Sequence, residues 1–142
     1  LYCQQHKGLE LYAWVLMSNH LHLLASATQE GISLSDILRD FKKFTSKKIV
    51  KAIQTEPESR REWMLYRFAY AGKYNPKIKD YKFWQDGNEP KEIYSLEFFE
   101  QKLIYIHNNP VRAEIVEFPD EYLYSSARNY AQKKGLLEVI VY

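Results

Sequence analysis

Two histidines separated by one residue, His20-Leu21-His22, sit inside the run Asn19-His20-Leu21-His22-Leu23-Leu24. In a β-strand successive side chains alternate between faces, so the two imidazoles share one face, about 7 Å apart along the backbone. Two rings so placed could share a divalent metal. They could equally be half-buried histidines bonded to backbone carbonyls, and a bare His-x-His does not choose between the two. A second cluster of functional residue types follows far along the chain. Tyr105 and Asn109 are four residues apart in a stretch of helical pattern and are therefore neighbours on one face. If that face meets the histidine strand, the set comprises two imidazole ligands, a neutral oxygen ligand and a nucleophile. Such a set suits phosphoryl transfer, in which a metal polarises a phosphate oxygen. An unperturbed phenol has a pKa of about 10, so a cation or a base must favour phenolate. Attack by tyrosine keeps the phosphodiester in a covalent protein adduct that a second strand can reverse, whereas activated water would hydrolyse it.

Several elements must position these residues. Leu9 to Leu16 is aromatic and β-compatible, and after Met17-Ser18-Asn19 the apolar run resumes from His20, which predicts a β-hairpin with the histidines on its second strand. The continuous Leu23-Leu24-Ala25 argues that this second strand is covered on both sides. Residues 1–8 read as the last turns of a helix closed by Gly8, so the chain is expected to begin inside a domain. Ser33 or Ser35 caps a helix that runs to about Thr55, with Asp36 near its positive end. Ile37, Leu38, Phe41, Phe44, Ile49, Ala52 and Ile53 form its inward stripe. Arg39, Lys43, Lys47 and Lys51, each four apart, make a basic ridge widened by Lys42 and Lys48. That ridge is either a solvated face or a surface that tracks phosphates.

A second helix is expected over residues 60–74. Residues 77–91 interleave aromatics, lysines and turn formers, with a strand near 82–85. Such a segment can stack single-stranded nucleic acid or pack a small core. Ser95 caps the helix that bears Tyr105, which extends to about Asn108 with Leu96, Phe99, Leu103 and Ile106 turned inward. Pro110 ends it and disfavours helical geometry at Asn109. A short helix around 111–116, a last helix over 125–133 closed by Gly135 and an added edge strand over 136–142 complete the expectation.

At 142 residues the chain suits one domain, 1–142. A net charge of +2 does not by itself argue for nucleic acid, so local distribution has to. The lone Cys3 excludes an internal disulfide and a cysteine-rich zinc site, and it fits a reducing, cytoplasmic setting. No apolar run approaches the length of a membrane span. A histidine-triad site would need a histidine where the chain has Leu24.

The segments Ser18-Asn19-His20-Leu21-His22-Leu23-Leu24, Trp84-Gln85 with Gly87-Asn88, Tyr105-Ile106-His107-Asn108-Asn109-Pro110-Val111-Arg112-Ala113 and Tyr124-Ser125-Ser126-Ala127 occur in this order over nearly the whole chain. Together they resemble the single-tyrosine transposases of the HUH class, most closely the branch associated with repetitive extragenic palindromes. The resemblance implies a ferredoxin-like α+β sandwich, an antiparallel sheet with helices on one face, here without an N-terminal strand and most of the first helix. It implies a single-stranded DNA endonuclease and strand-transfer enzyme acting near hairpins, with Mg²⁺ or Mn²⁺ and a 5′-phosphotyrosine intermediate. Carried over, His20 and His22 match the metal-binding histidines, Tyr105 the nucleophile, and Asn109 the position where relatives place a Gln or Asn ligand. DNA contacts are expected from Arg39, Lys43, Lys47, Lys51 and Arg112. Two positions depart: Glu89 stands where histidine is frequent, and Glu114 where glycine is common. Relatives include monomers and dimers that share the tyrosine helix, so a homodimer stays open. The alternative is a hairpin-binding protein of the same fold that has lost cleavage.

Overall fold

Leu9–Leu16 and Leu21–Ala27 pair antiparallel as β1 and β2 in the computed structural model, which describes residues 1–76 and 78–142. Met17 N–H donates to the His20 carbonyl at 2.9 Å, so Ser18-Asn19 is a two-residue hairpin loop. The register sets Ala13 opposite Leu24 and Val15 opposite His22. Directly opposed residues share a face, so His22 lies on the side of the sheet that carries Ala13, Val15 and Leu24. A slip of one residue would turn His22 to the other side.

Residues 1–37 with 91–142 form one compact unit, and residues 38–90 form another. In the first unit β1 has partners along both edges. Besides β2, Leu16 N–H donates to Tyr124 O, Ser126 N–H to Trp14 O and Ile140 N–H to Leu11 O, each at 2.9 Å. Leu11, Ala13, Trp14 and Val15 are buried accordingly. This corrects the expectation for β2: among the described residues it pairs with β1 alone, and of Leu23-Leu24-Ala25 only Leu24 is buried. The doubly flanked strand is β1, because the C-terminal segment lines its far edge.

That segment is diverted from helix for the same reason. Ser125 bridges to Val15, so the last helix shrinks from the expected 125–133 to Ala127–Tyr130. The tail does not form a strand among the described residues, although its backbone bond to Leu11 ties it to the edge of β1. At the other end, α1 (Tyr2–His6) ends before Gly8, whose φ is +64°. A Cβ there would meet Gln29 Cβ at 2.6 Å, so the turn into β1 demands glycine.

The helix α4, Leu96–His107, begins as the sequence predicts, with Ser95 Oγ accepting the Phe98 N–H at 3.1 Å. Ile106 joins Ala13, Val15, Met17 and Leu24 in the buried cluster, with Phe99 and Leu103 at its margin. Leu96 is exposed instead of inward: it occupies the first helical position, beyond that cluster. Pro110 does not end helical structure. It occupies the second position of a further turn, α5 (Asn109–Arg112), where its missing N–H costs nothing, and Asn109 is helical although it precedes proline. This turn starts earlier than the expected 111–116. It closes with Glu114 N–H on Val111 O and Ile115 N–H on Pro110 O, both at 2.9 Å, and with Glu114 at φ +56°. This is the helix-ending motif that favours glycine at its left-handed position, which Glu114 occupies here.

The second unit holds most of α2 (Leu34–Thr55), α3 (Arg61–Gly72) and the segment that follows. Ser33 Oγ accepts the Asp36 N–H at 3.1 Å and Asp36 Oδ2 accepts the Ser33 N–H at 3.2 Å, a reciprocal cap at the start of α2. Val50 and Ile53 are buried, while Phe44, expected in the inward stripe, is exposed under Lys48. Of the segment 77–91, Lys77 lies outside the described residues. No strand forms at 82–85, because the aromatic side chains there pack on helices. Trp84 Nε1 donates to Thr45 Oγ1 at 2.9 Å, the Trp84 ring lies 5.9 Å from Phe41, and Phe83 lies 5.3 Å from Phe68.

One buried polar group links α4 to β1. His107 is 8% exposed and its Nε2 lies 2.8 Å from Ser126 Oγ. Burial pushes the His107 imidazole down to about 4. Unfolded, it would titrate at about 6.5, so between these values the unfolded chain holds the extra proton and acidification lowers stability by about 1.4 kcal/mol per pH unit. Urea midpoints measured from pH 6.5 down to pH 4 should therefore fall more steeply in the parent chain than in His107→Gln. Parallel slopes would assign the acid loss to other groups.

Candidate active site

His20 precedes β2, as the partner of Met17 across the hairpin turn, and not inside the strand as the sequence suggested. The two rings nonetheless meet, with centroids 4.9 Å apart and planes at 70°. His20 Nδ1 bonds Asn19 Oδ1 at 2.7 Å. A carboxamide oxygen only accepts, so Nδ1 is the donor, and in the neutral ring this leaves the Nε2 lone pair for another partner. Burial, and next the charge of His20, hold His22 below the ordinary imidazole value, which favours its neutral, ligating form.

From α4, Tyr105 reaches this pair. Its ring centroid is 5.4 Å from that of His22, with planes at 73°, and the residue is 41% exposed. The neighbouring Ile106 is the one that enters the core, which aims Tyr105 along the rim of the sheet face. Two cations attend the phenol ring: the Arg112 guanidinium at 5.5 Å and Lys102 Nζ at 6.0 Å from its centroid. Asn109 Nδ2 donates to the Tyr105 carbonyl at 2.8 Å, a bond that occupies its amide N–H and leaves Oδ1 as the accepting end.

Two imidazoles and a carboxamide oxygen are a mixed nitrogen and oxygen donor set of a kind that divalent cations accept. Among the described residues no three His, Cys, Asp or Glu side chains gather together. A cation at the pair would therefore need the Asn109 oxygen, water or substrate oxygen to complete its shell.

The structure thus brings His20, His22, Tyr105 and Arg112 into one chain of ring contacts, with Asn109 tied to the Tyr105 backbone. The basic ridge belongs to the second unit, where Arg39, Lys43, Lys47 and Lys51 are all exposed along α2. Arg39 is paired with Asp40 at 3.3 Å. Lys42 does not widen the ridge: its Nζ donates to Gly87 O at 2.7 Å and Gln85 O at 3.2 Å. Sequence reasoning missed Lys102, although it stands three residues before Tyr105 on the same helix. It also missed Asn19 and the link from His107 to Ser126, although both belong to runs that carry the resemblance.

In metal-free protein, NMR titration should place His22 below the ordinary imidazole pKa. His20→Ala should move it part of the way back, since burial, the larger cause, persists. A His22 pKa at or above the ordinary value would contradict this environment.

The sequence model of the family described as "Transposase IS200 like" matches residues 2–81. That span is more than half of the chain, includes His20 and His22, and stops short of Tyr105. Curated proteins give no match. A solved structure described as "Structure of the REP associates tyrosine transposase bound to a REP hairpin" superposes with a TM-score of 0.62 at 18% identity, covering 91% of this chain. This chain spans 61% of that one. At such identity the likeness shows the fold, and it bears out the expected α+β class with an antiparallel sheet.

Proposed function

The chain belongs to the IS200-like transposase family, and from that premise we propose that it cleaves and transfers single strands of DNA with Tyr105 as nucleophile. The observation that carries this reading is the 5.4 Å approach of the Tyr105 ring to His22, itself in contact with His20. A phenol and two imidazoles from distant parts of the sequence meet on one side of the hairpin.

In the proposed reaction the Tyr105 oxygen attacks a DNA phosphorus, the new oxygen–phosphorus bond forms and the bond to the 3′ oxygen breaks. The phenol loses its proton and the departing 3′ oxygen gains one, leaving a 5′-phosphotyrosine and a free 3′-hydroxyl. The reverse attack by another 3′-hydroxyl transfers the strand. Arg112 and Lys102 hold positive charge beside the phenol, where it draws the phosphate in and offsets charge that develops on it. His20, His22 and Asn109 would hold a divalent cation, Mg²⁺ or Mn²⁺, which when bound polarises a phosphate oxygen. Lys43, Lys47 and Lys51, with Arg39, offer phosphate contacts along α2.

The solved relative is described as bound to a REP hairpin, which supports hairpin-bearing single-stranded DNA as the substrate class here. Contact of Tyr105 with His22 inside one chain supports a site completed by a single copy. Among the described residues no helix is long and apolar enough to cross a membrane, and the lone Cys3 suits the reducing cytoplasm that we assign. One observation favours the second reading, hairpin binding without cleavage: the family match ends before Tyr105.

Labelled hairpin-bearing single-stranded DNA incubated with Mg²⁺ or Mn²⁺ separates the two readings. The parent chain should yield an adduct that survives denaturation. Tyr105→Phe should bind the same DNA without forming it, and His20→Ala or His22→Ala should suppress it. An adduct in Tyr105→Phe would remove this residue from the chemistry, and binding without an adduct in the parent would favour the second reading.

A further inference from the structure

The helix α3 (Arg61–Gly72) is apolar on two sides. At 3.6 residues per turn Met64, Phe68 and Gly72 share one side, whereas Trp63, Tyr66 and Tyr70 fall within about 60° of arc on another. The first side is covered from within the second unit. Phe68 packs on Phe83, and Gly72 is buried where a Cβ would come within 2.7 Å of Ile78 Cγ2, so the return segment lies close against the helix. The second side is open: Trp63 is 63%, Tyr66 67% and Tyr70 58% exposed, and Tyr74 just beyond the helix is 81% exposed. Isolated exposed rings are ordinary, but a row of them on one helix face is not.

Tyr66 and Tyr70 are nearly parallel, with planes 24° apart and centroids at 6.3 Å. The return segment sets Lys79 beside them, and with Lys73 and Ile78 these rings line a shallow cleft of about 450 Å³, in which Asp80 is the carboxylate among the lining residues. Lys73 Nζ also lies 5.4 Å from the Tyr74 ring. Flat π faces in a row, beside ammonium groups, match a ligand that alternates planar bases with phosphates. The row holds no leucine, isoleucine or valine to act as a knob for a partner helix. Each of the three tyrosines is more than half exposed, which suits a solvated ligand.

We propose that this face of α3 is a stacking platform for single-stranded DNA, separate from the Tyr105 site. The choice of DNA as occupant rests on the function proposed above. Bases stack on Tyr66 and Tyr70, with Trp63 and Tyr74 extending the row, and Lys73 and Lys79 contact the phosphates between them. The signal was present in the sequence as aromatics three and four residues apart, but periodicity alone could not say which apolar side of α3 faced inward.

The full chain carrying Tyr105→Phe, in which no covalent step intervenes, is titrated with labelled oligo(dT) and with an abasic strand of the same length. Tyr66→Ala with Tyr70→Ala should weaken oligo(dT) binding by roughly tenfold or more, while the matching phenylalanine variants retain it. Affinity for the abasic strand should be the same in all of them. Lys73→Gln and Lys79→Gln should each reduce the slope of log affinity against log salt by about 0.7. Unchanged oligo(dT) affinity in the alanine variant, an equal loss on the abasic strand, or no binding by the parent would overturn the platform. So would a shift from dimer to monomer on sedimentation with DNA affinity intact, which would give the face to a second copy of the chain. These affinities are read without cleavage, so the platform and the nucleophile can fail independently.

Discussion

Ser126 Oγ accepts the Trp14 N–H at 2.9 Å and stands 2.8 Å from His107 Nε2, while Ser126 N–H donates to Trp14 O. With its own proton directed to Trp14 O at 3.2 Å, this fully buried hydroxyl accepts from strand and helix together. The serine side chain does for β1 what a neighbouring strand's carbonyl would do, and it ties the end of α4 to that strand. Leaving any one of these buried donors unpaired costs about 1 to 3 kcal/mol, so α4 has little freedom to rotate or slide. Tyr105 lies two residues before His107, and β1 pairs with the strand that bears His22. The placement of the phenol against the imidazole is therefore inherited from a contact that contains neither.

Around that contact the candidate site follows from short rules. Hairpin register turns His22 to the face that α4 covers, and Ile106 takes the core position and leaves Tyr105 at the rim. Asn109 is helical because Pro110 falls where a helix start has no use for an N–H. Its amide N–H then bonds the Tyr105 carbonyl, which fixes one end of the carboxamide. Electrostatics agree with this arrangement: burial favours the neutral form of His22, while the cations gather on the phenol side.

Much of this was legible in the residues. The hairpin, the cap at Ser95 and the end of α2 at Thr55 follow local chemistry that the sequence states outright, and the α2 cap falls on Ser33, one of the two serines that the sequence offered. The failures share a cause, which is that a non-local partner decided the outcome. Residues 82–85 have strand-forming side chains, but β propensity measures fit to a pleated surface, and here Phe83 and Trp84 found helix faces instead. Leu23-Leu24-Ala25 looked like an interior strand, yet the C-terminal segment chose the far edge of β1. Ser125 and Ser126 read as helix formers and serve as strand partners. The nearness of Tyr105 to the histidines could be inferred by resemblance, but its cause, one serine hydroxyl, carries no periodic signal.

The central claim is that one chain brings its own tyrosine to its own histidine pair. Mixing His22→Ala protein with Tyr105→Phe protein and assaying for a covalent adduct on hairpin-bearing single-stranded DNA tests it most directly. With a parent chain that forms the adduct, the mixture should form none, because neither copy holds both groups. Recovery of the adduct in the mixture would contradict the account and require a tyrosine helix that crosses to the partner copy.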